Sequence, residues 1–199
     1  VARNKSRLET LIPELKNALN VEHRFLVLDL SIPKEAHELC EHIRTTHFDV
    51  VVNNAGYGVY GPFIAPDALP KFENMIQLNC TSLVAISHAF LSTAKQGSAL
   101  INVASVAAFI PLLRNAVYAA TKSFVHHLSL ALWLEGKKRG IYVGSVCPGY
   151  TDTEFSTRAG GDPNRAPRKA ATSPQKVAES IIKALRRRRQ ALVVPDLAN

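Results

Sequence analysis

Leu8, Leu11, Ile12, Leu15 and Leu19 recur at helical spacing, so residues 5–19 are predicted to form an amphipathic helix in spite of Pro13. Residues 23–30 (HRFLVLDL) form a short apolar run and read as a buried strand. Pro33 suits the first turn of a helix over 33–46. The β-branched run at 48–52 (FDVVV) reads as a strand, and a Gly- and aromatic-rich loop follows up to about Pro66. Helix is expected over 67–95 in two pieces, strand over 98–104 (SALINVA) and a long helix over 115–138. Residues 141–146 (IYVGSV) are a strand closed by Pro148-Gly149. Residues 151–173 carry Gly160-Gly161, Pro163 and Pro167 and read as a loop, 174–188 as a helix and 191–194 (ALVV) as a last strand.

Strands that alternate with helices predict an α/β fold, a Rossmann-like doubly wound parallel sheet in three αβα layers. The strands are continuous apolar runs, as a sheet covered on both faces requires. No repeat or second composition regime breaks the chain, so residues 1–199 are expected to form one domain. In such sheets ligands lie beyond the carboxyl ends of the strands. Those ends carry Asp29, Asn53-Asn54-Ala55-Gly56, Ser105 and Pro148-Gly149-Tyr150-Thr151.

The hydrophobic share of 47% fills a real core and excludes a disordered chain. A formal charge of +8 would suit a nucleic-acid binder, but charge alone does not choose a function. Cys40, Cys80 and Cys147 stand far apart, which argues against a zinc ribbon, a dithiol motif or a disulfide framework. No metal site is expected, because His126-His127 and the spaced His37, His42 and His47 lack ligand spacing. No apolar run reaches the roughly 18 residues that span a bilayer, and no apolar signal core opens the chain, so a cytoplasmic protein without an integral membrane segment is expected.

Tyr118 and Lys122 stand four apart in the 115–138 helix and so share a face. An ammonium beside a phenol favours the phenolate, which predicts a Tyr118 pKa below its usual value of about 10 and a usable general acid or base. Ser105 ends a strand that feeds the same crevice, where its hydroxyl could hold a substrate oxygen. Asn79 falls mid-helix, a poor position for Asn on propensity grounds. Each signal has a bland reading: a Lys snorkelling over a ring, a Ser that caps a turn, an exposed Asn, a plain Asn-Asn-Ala-Gly turn. Their order and spacing at successive strand ends is the specific feature.

Taken together, these residues resemble the short-chain dehydrogenase/reductase family over essentially the whole chain. The family's N-N-A-G matches Asn53-Asn54-Ala55-Gly56, and its catalytic asparagine matches Asn79. Its serine, with tyrosine thirteen residues on and lysine four further, matches Ser105, Tyr118 and Lys122, and its P-G-x-x-x-T matches Pro148, Gly149 and Thr153. The resemblance implies hydride transfer between a nicotinamide cofactor and a carbonyl or alcohol. Tyr118 would pass the proton, Lys122 would tune it and hold the nicotinamide ribose, Ser105 would hold the substrate oxygen, and Asn79 would bend its helix and hold a relay water. Asp29 and Leu30 match positions that border the adenine. Asn54, with Ala55 and Gly56, matches the adenosine side. Thr151 and Thr153, after Pro148-Gly149, match positions that hold the carboxamide.

Family members that select NAD place an acidic residue at the end of the second strand. Ala2 fills that slot here and Arg3 follows. A cation without a neighbouring carboxylate suits a 2′-phosphate, so NADP(H) is expected over NAD(H). Tyr57, Tyr60, Phe63, Phe109, Leu112, Leu113, Tyr150 and Phe155 are candidates for the substrate side, which favours a small-molecule substrate that is an apolar carbonyl or alcohol, such as a steroid, acyl chain or aryl ketone. The 151–173 loop would act as a lid or as plain linker.

The family's T-G-x-x-x-G-x-G turn is not in this sequence, which opens on Val1. A chain that is N-terminally incomplete, a fragment of a longer protein, is therefore expected. The alternative is a shortened, non-catalytic binding or scaffold protein of the same fold. Arg186-Arg187-Arg188-Arg189 reads as a solvated helix end favoured by the helix dipole rather than a nucleic-acid site. The family often assembles through its two long helices, so a homodimer or homotetramer is expected.

Overall fold

The apolar runs β2 (Ala99–Val103) and β3 (Tyr142–Val146) pair in parallel and make the buried centre of the sheet. β1 (Val50–Asn53) adds to the free side of β2 and the short β4 (Leu192–Val193) to that of β3, giving the order β1-β2-β3-β4 among the described residues. The computed structural model describes residues 1–19, 22–151, 153, 155–160 and 171–195. The helices are α1 (Lys5–Leu19), α2 (Pro33–Thr45), α3 (Ala68–Ile76), α4 (Leu83–Thr93), α5 (Ala116–Lys137), α6 (Phe155–Arg158) and α7 (Pro174–Arg187). A π-helical turn over Gln77–Ser82 joins α3 to α4, so the expected two-piece helix is one rod with a widened centre.

Pleat alternation assigns each layer its residues. Leu100 and Val143 face one side, where they pack with Leu39, Ile43, Ile86 and Phe90 of α2 and α4 and with Trp133 of α5. Ala99, Ile101, Tyr142 and Val146 face the other, under Val177, Ile181 and Leu185 of α7. Helices thus cover both faces of a parallel sheet, the expected three-layer α/β arrangement. The first face also carries a polar strip. Asn53 donates to Asn102 Oδ1 (2.9 Å) and to Ser87 (3.0 Å), and Asn102 donates to Ser129 (3.0 Å). The first Asn of Asn-Asn-Ala-Gly therefore ties β1 to β2 and to α4.

Two expectations are corrected. The 23–30 segment is not a strand in a ladder; its pairing is one parallel bridge between Ala2 and Val27. The backbone groups of Ala2 bond to Leu26 and Leu28, but the chain turns into α1 at Lys5, so the partner runs out. β1 is not covered on both faces, since Val50 and Val52 are 40% and 44% exposed. They lie in register with Ala99 and Ile101, on the α7 side, and the apolar residues of α7 pack over β2 and β3.

By length and composition the helical rod Ala68–Thr93 is apolar enough to cross a membrane, which short apolar runs did not suggest. Half of its most apolar window is buried inside the protein, where Leu83, Ile86, Ala89 and Phe90 pack in the core. Within the arginine run, Arg188 takes a left-handed φ of 51° and closes α7. Its guanidinium donates to the carbonyls of Leu185 (2.9 Å) and Gly97 (2.6 Å).

Candidate active site

The sheet delivers its strand ends to one edge, and the widened turn between α3 and α4 brings Asn79 to the same place. A π-turn lets one residue project where an α-helix would hide it, and such turns concentrate at functional sites. Asn79 is buried, not exposed, and each of its amide groups is engaged. Its Oδ1 accepts from Tyr57 N (3.2 Å), while Nδ2 donates to Tyr57 O (3.0 Å) and to Thr121 Oγ1 (3.1 Å). Thr121 in turn donates to the carbonyl of Tyr118 at 2.7 Å. Asn79 therefore clamps the loop after β1 against the first turns of α5.

α5 carries Tyr118 and Lys122 one turn apart, and both are buried. The Lys122 ammonium donates to Val103 O at the end of β2 (2.8 Å) and lies 5.8 Å from the Tyr118 ring centroid. A Cβ on Gly56 would stand 3.0 Å from Asn79 Oδ1 and 3.5 Å from Lys122 Nζ, so the Asn-Asn-Ala-Gly loop approaches both residues. Ser105 caps the short turn Val106–Ala108 by accepting from Ala107 N (3.1 Å), and its hydroxyl also reaches the Tyr118 phenol. Asn79, Ser105, Tyr118, Lys122 and Gly56 thus converge. Pro148 joins them through its carbonyl, which accepts from Val106 N at 3.0 Å.

The electrostatics depart from expectation. Burial pushes the Tyr118 phenol above its ordinary pKa, and the hydrogen bond from Ser105 pulls it only partly back. The expected lowering by Lys122 is absent because its ammonium points to a backbone carbonyl, and its own charge is disfavoured in the dry interior. Burial lowers Lys122 to about 8, opposed by the nearby Cys80 and Cys147 thiols. Cys147 is the small buried residue expected, packed with Leu83, Ala104 and Val125.

The adenine-side residues also meet. Arg3 Nη1 donates to Asp29 Oδ2 at 3.3 Å, and Ser31 holds Oδ1 through its N–H (2.9 Å) and hydroxyl (2.7 Å). Burial alone would raise the Asp29 pKa, but the Ser31 hydrogen bonds and the Arg3 charge outweigh it and hold the carboxyl below its ordinary value. The premise that Arg3 lacks a carboxylate neighbour is therefore corrected. The bend after Ala2 brings it to Asp29, which lies distant in sequence. Leu30 contributes its carbonyl, which accepts from Ser82 at 2.6 Å. Asn54 and Ala55 are exposed at the end of β1.

The sequence profile of the short chain dehydrogenase family matches residues 1–163. The chain belongs to this family. It is 36% identical over 163 residues to a serine 3-dehydrogenase of Agrobacterium fabrum, covering 80% of this chain and 64% of that protein. The chain therefore spans less than two thirds of that relative. Among solved structures, a short-chain dehydrogenase from Sphingobium yanoikuyae in complex with NADPH superposes with a TM-score of 0.89 at 31% identity, over 99% of this chain and 77% of that one. A bulky-bulky ketone specific alcohol dehydrogenase from Comamonas testosteroni gives 0.85 at 28% identity, over 99% and 75%. These neighbours make the fold Rossmann-like.

Around the candidate site of this short-chain dehydrogenase family member, the aromatic candidates divide. Phe155 of α6 lies 5.4 Å from the Tyr118 ring, and Tyr57 and Leu112 pack in the same cluster. Gly58 separates Phe155 and Tyr118, with both rings about a contact distance from where its Cβ would be. Phe63 stacks on Phe72 (5.6 Å), while Phe109 meets His126 edge-on (4.8 Å) rather than Tyr118. Tyr60 and Leu113 are exposed, and Tyr150 is half-buried beside Gly149. The Thr151 hydroxyl donates to Gly149 O (3.2 Å), and that of Thr153 accepts from Phe155 N (3.3 Å), so both shape the turn into α6. Most of the candidate lid, 161–170 with Asp152 and Glu154, lies outside the described residues.

Sequence reasoning missed Thr121. A helical Thr ordinarily bonds back to a carbonyl three or four residues earlier, so nothing in the sequence distinguishes one that also receives Asn79.

Gly56→Ala is expected to lower stability by about 1–2 kcal/mol, because the added methyl must displace the Asn79 amide from a packed site. A urea titration of the variant against wild type checks this.

Proposed function

We propose that the protein transfers hydride between a nicotinamide cofactor, preferentially NADP(H), and a carbonyl or alcohol, with Tyr118 as the proton donor. The observation that carries this reading is the convergence of Ser105, Tyr118, Lys122 and Asn79 from three elements at the carboxyl ends of the strands. A phenol held above its ordinary pKa is protonated across the neutral range, the state that gives a proton to a reduced carbonyl. Ser105 orients the substrate oxygen toward that phenol. Asn79 fixes the backbone on which both depend.

The residues present fit the cofactor at both its ends. Lys122 has three ammonium protons, and one bond, to Val103 O, satisfies it among the described residues, which leaves donors for a ribose hydroxyl pair. Gly56 keeps a Cβ out of the adjoining space. At the far end Arg3 is 64% exposed and uses one nitrogen on Asp29, so its remaining donors suit a 2′-phosphate. By the family resemblance, Pro148, Gly149, Thr151 and Thr153 would border the nicotinamide end. Bound there, the nicotinamide supplies the hydride. The complex of the Sphingobium neighbour with NADPH supports the preference.

Exposed Leu69, Ile76 and Val84 on the α3–α4 rod and Phe124 and Leu134 on α5 support assembly as a homodimer or homotetramer through these helices.

The test is oxidation of NADPH and of NADH by the intact protein against a panel of ketones and aldehydes. Reduction of at least one carbonyl, faster with NADPH, is the expected result. No oxidation of either cofactor across the panel would favour the non-catalytic reading.

A further inference from the structure

A cavity of about 570 Å³ opens between the loop after β1 and the loop that enters α5. Its walls are apolar: Val59, Phe63 and Phe72 on one side, Leu112, Leu113 and Val117 on the other. Phe72, Val59, Leu112 and Val117 pack in the same cluster as Tyr118, so this space adjoins the proposed proton donor. Arg114 is the one charged residue among those lining it.

Two features of Arg114 stand out. Its φ is 60°, a left-handed conformation that a glycine would adopt without steric cost and an arginine does not. Its carbonyl accepts from Gly61 N at 2.9 Å, which joins the two loops and holds that conformation. The guanidinium, by contrast, is exposed and has no hydrogen-bond or ion-pair partner among the described residues. The backbone bond to Gly61 needs no particular side chain. A strained position that keeps an unengaged arginine beside an apolar cavity is explained by a ligand for that arginine.

The geometry points to Arg114 as a specificity-determining residue that pairs with a carboxylate on a substrate whose apolar body fills the cavity and whose carbonyl reaches Tyr118. The substrate class is thus an amphipathic oxo-acid. This inference rests on the carbonyl-reducing reading of the site. Leu113, which is 90% exposed, and Phe63 flank the opening and match an apolar body. No Asp or Glu lines the cavity to compete for the guanidinium. A planar fork with paired donors is suited to a carboxylate.

The experiment compares 4-acetylbenzoate with its methyl ester as substrates of the intact protein and of Arg114→Gly. Wild type is expected to favour the acid, and the variant to lose about 10-fold or more in kcat/KM on the acid while holding the ester within about 2-fold. The glycine relieves the left-handed backbone, so its urea midpoint should equal or exceed that of wild type, which separates lost recognition from lost folding. An equal change on acid and ester would overturn the assignment. If neither compound is reduced by wild type, equilibrium dialysis of 4-acetylbenzoate decides. Binding weakened by Arg114→Gly keeps the subsite and leaves the carbonyl-reducing reading to the outcome of the ketone and aldehyde panel, and binding that is absent or indifferent to the substitution rejects the subsite.

Discussion

Tyr118→Phe is expected to lower kcat for carbonyl reduction by about 10³-fold or more, within the range for loss of a positioned general acid together with its contact to the substrate oxygen. The substitution removes one oxygen and leaves the ring. That ring packs against Phe155, Phe72, Met75 and Ala107, and the phenylalanine can keep those contacts. The hydroxyl interacts with Ser105, whose other bond, to Ala107 N, is independent of it. The variant should therefore fold, with a stability change of about 1 kcal/mol or less. Cofactor affinity should also persist, because Lys122 and the Asn79 clamp do not depend on the phenol oxygen. Steady-state kinetics with a carbonyl that the wild type reduces, alongside a urea titration, tests both parts. Activity retained within about tenfold would show that the proton comes from another group.

The parts of this molecule readable in its sequence are those set by local pattern. β2, β3 and α5 are long, apolar and periodic, and burial of those patterns decides their form. Spacing at strand ends was equally readable, since a parallel sheet delivers every such end to one edge. What was not readable depends on partners distant in the chain. The 23–30 run has strand composition, yet a strand exists only where a neighbour pairs with it, and Ala2 alone does. Arg3 stands apart from any acid in the sequence but meets Asp29 in space. The helical spacing of Tyr118 and Lys122 fixed their proximity, but not that the ammonium turns to the Val103 carbonyl while burial governs the phenol. The mid-helix Asn79 marks a real irregularity of the helix, because its poor helix propensity is relieved by the π-turn it occupies. Arg114 gave no sequence signal, because its significance lies in a left-handed φ and an unengaged side chain.

Lys122→Met should remove a charge from a site where burial has already lowered its pKa to about 8. The unfolded lysine keeps its proton to about pH 10.4, so between these values the unfolded chain binds more protons than the folded one. Wild-type stability from this group therefore rises with pH across roughly 8 to 10.4, and below 8 the folded protein carries the full cost of a buried ammonium. The Met variant carries no such cost. It is expected to be more stable than wild type at pH 7 by about 2 kcal/mol, after allowance for the lost bond to Val103, with the gap closing as pH approaches 10. Titration of the cysteines and of Tyr118 occurs in both proteins and cancels to first order in the difference. Activity moves the opposite way, with a loss of about 10²-fold or more, because no other described cation is placed beside Tyr118 and Gly56 to hold the cofactor. Urea midpoints of both proteins at pH 7, 8.5 and 9.5, with kcat and KM measured at pH 7, separate the two effects. A stability gap that does not change with pH would show that Lys122 titrates as an ordinary lysine, and a fully active Met variant would remove it from the site. A gain in stability joined to a loss of activity is the combination expected where a fold retains a buried charge for chemistry rather than for its own cohesion.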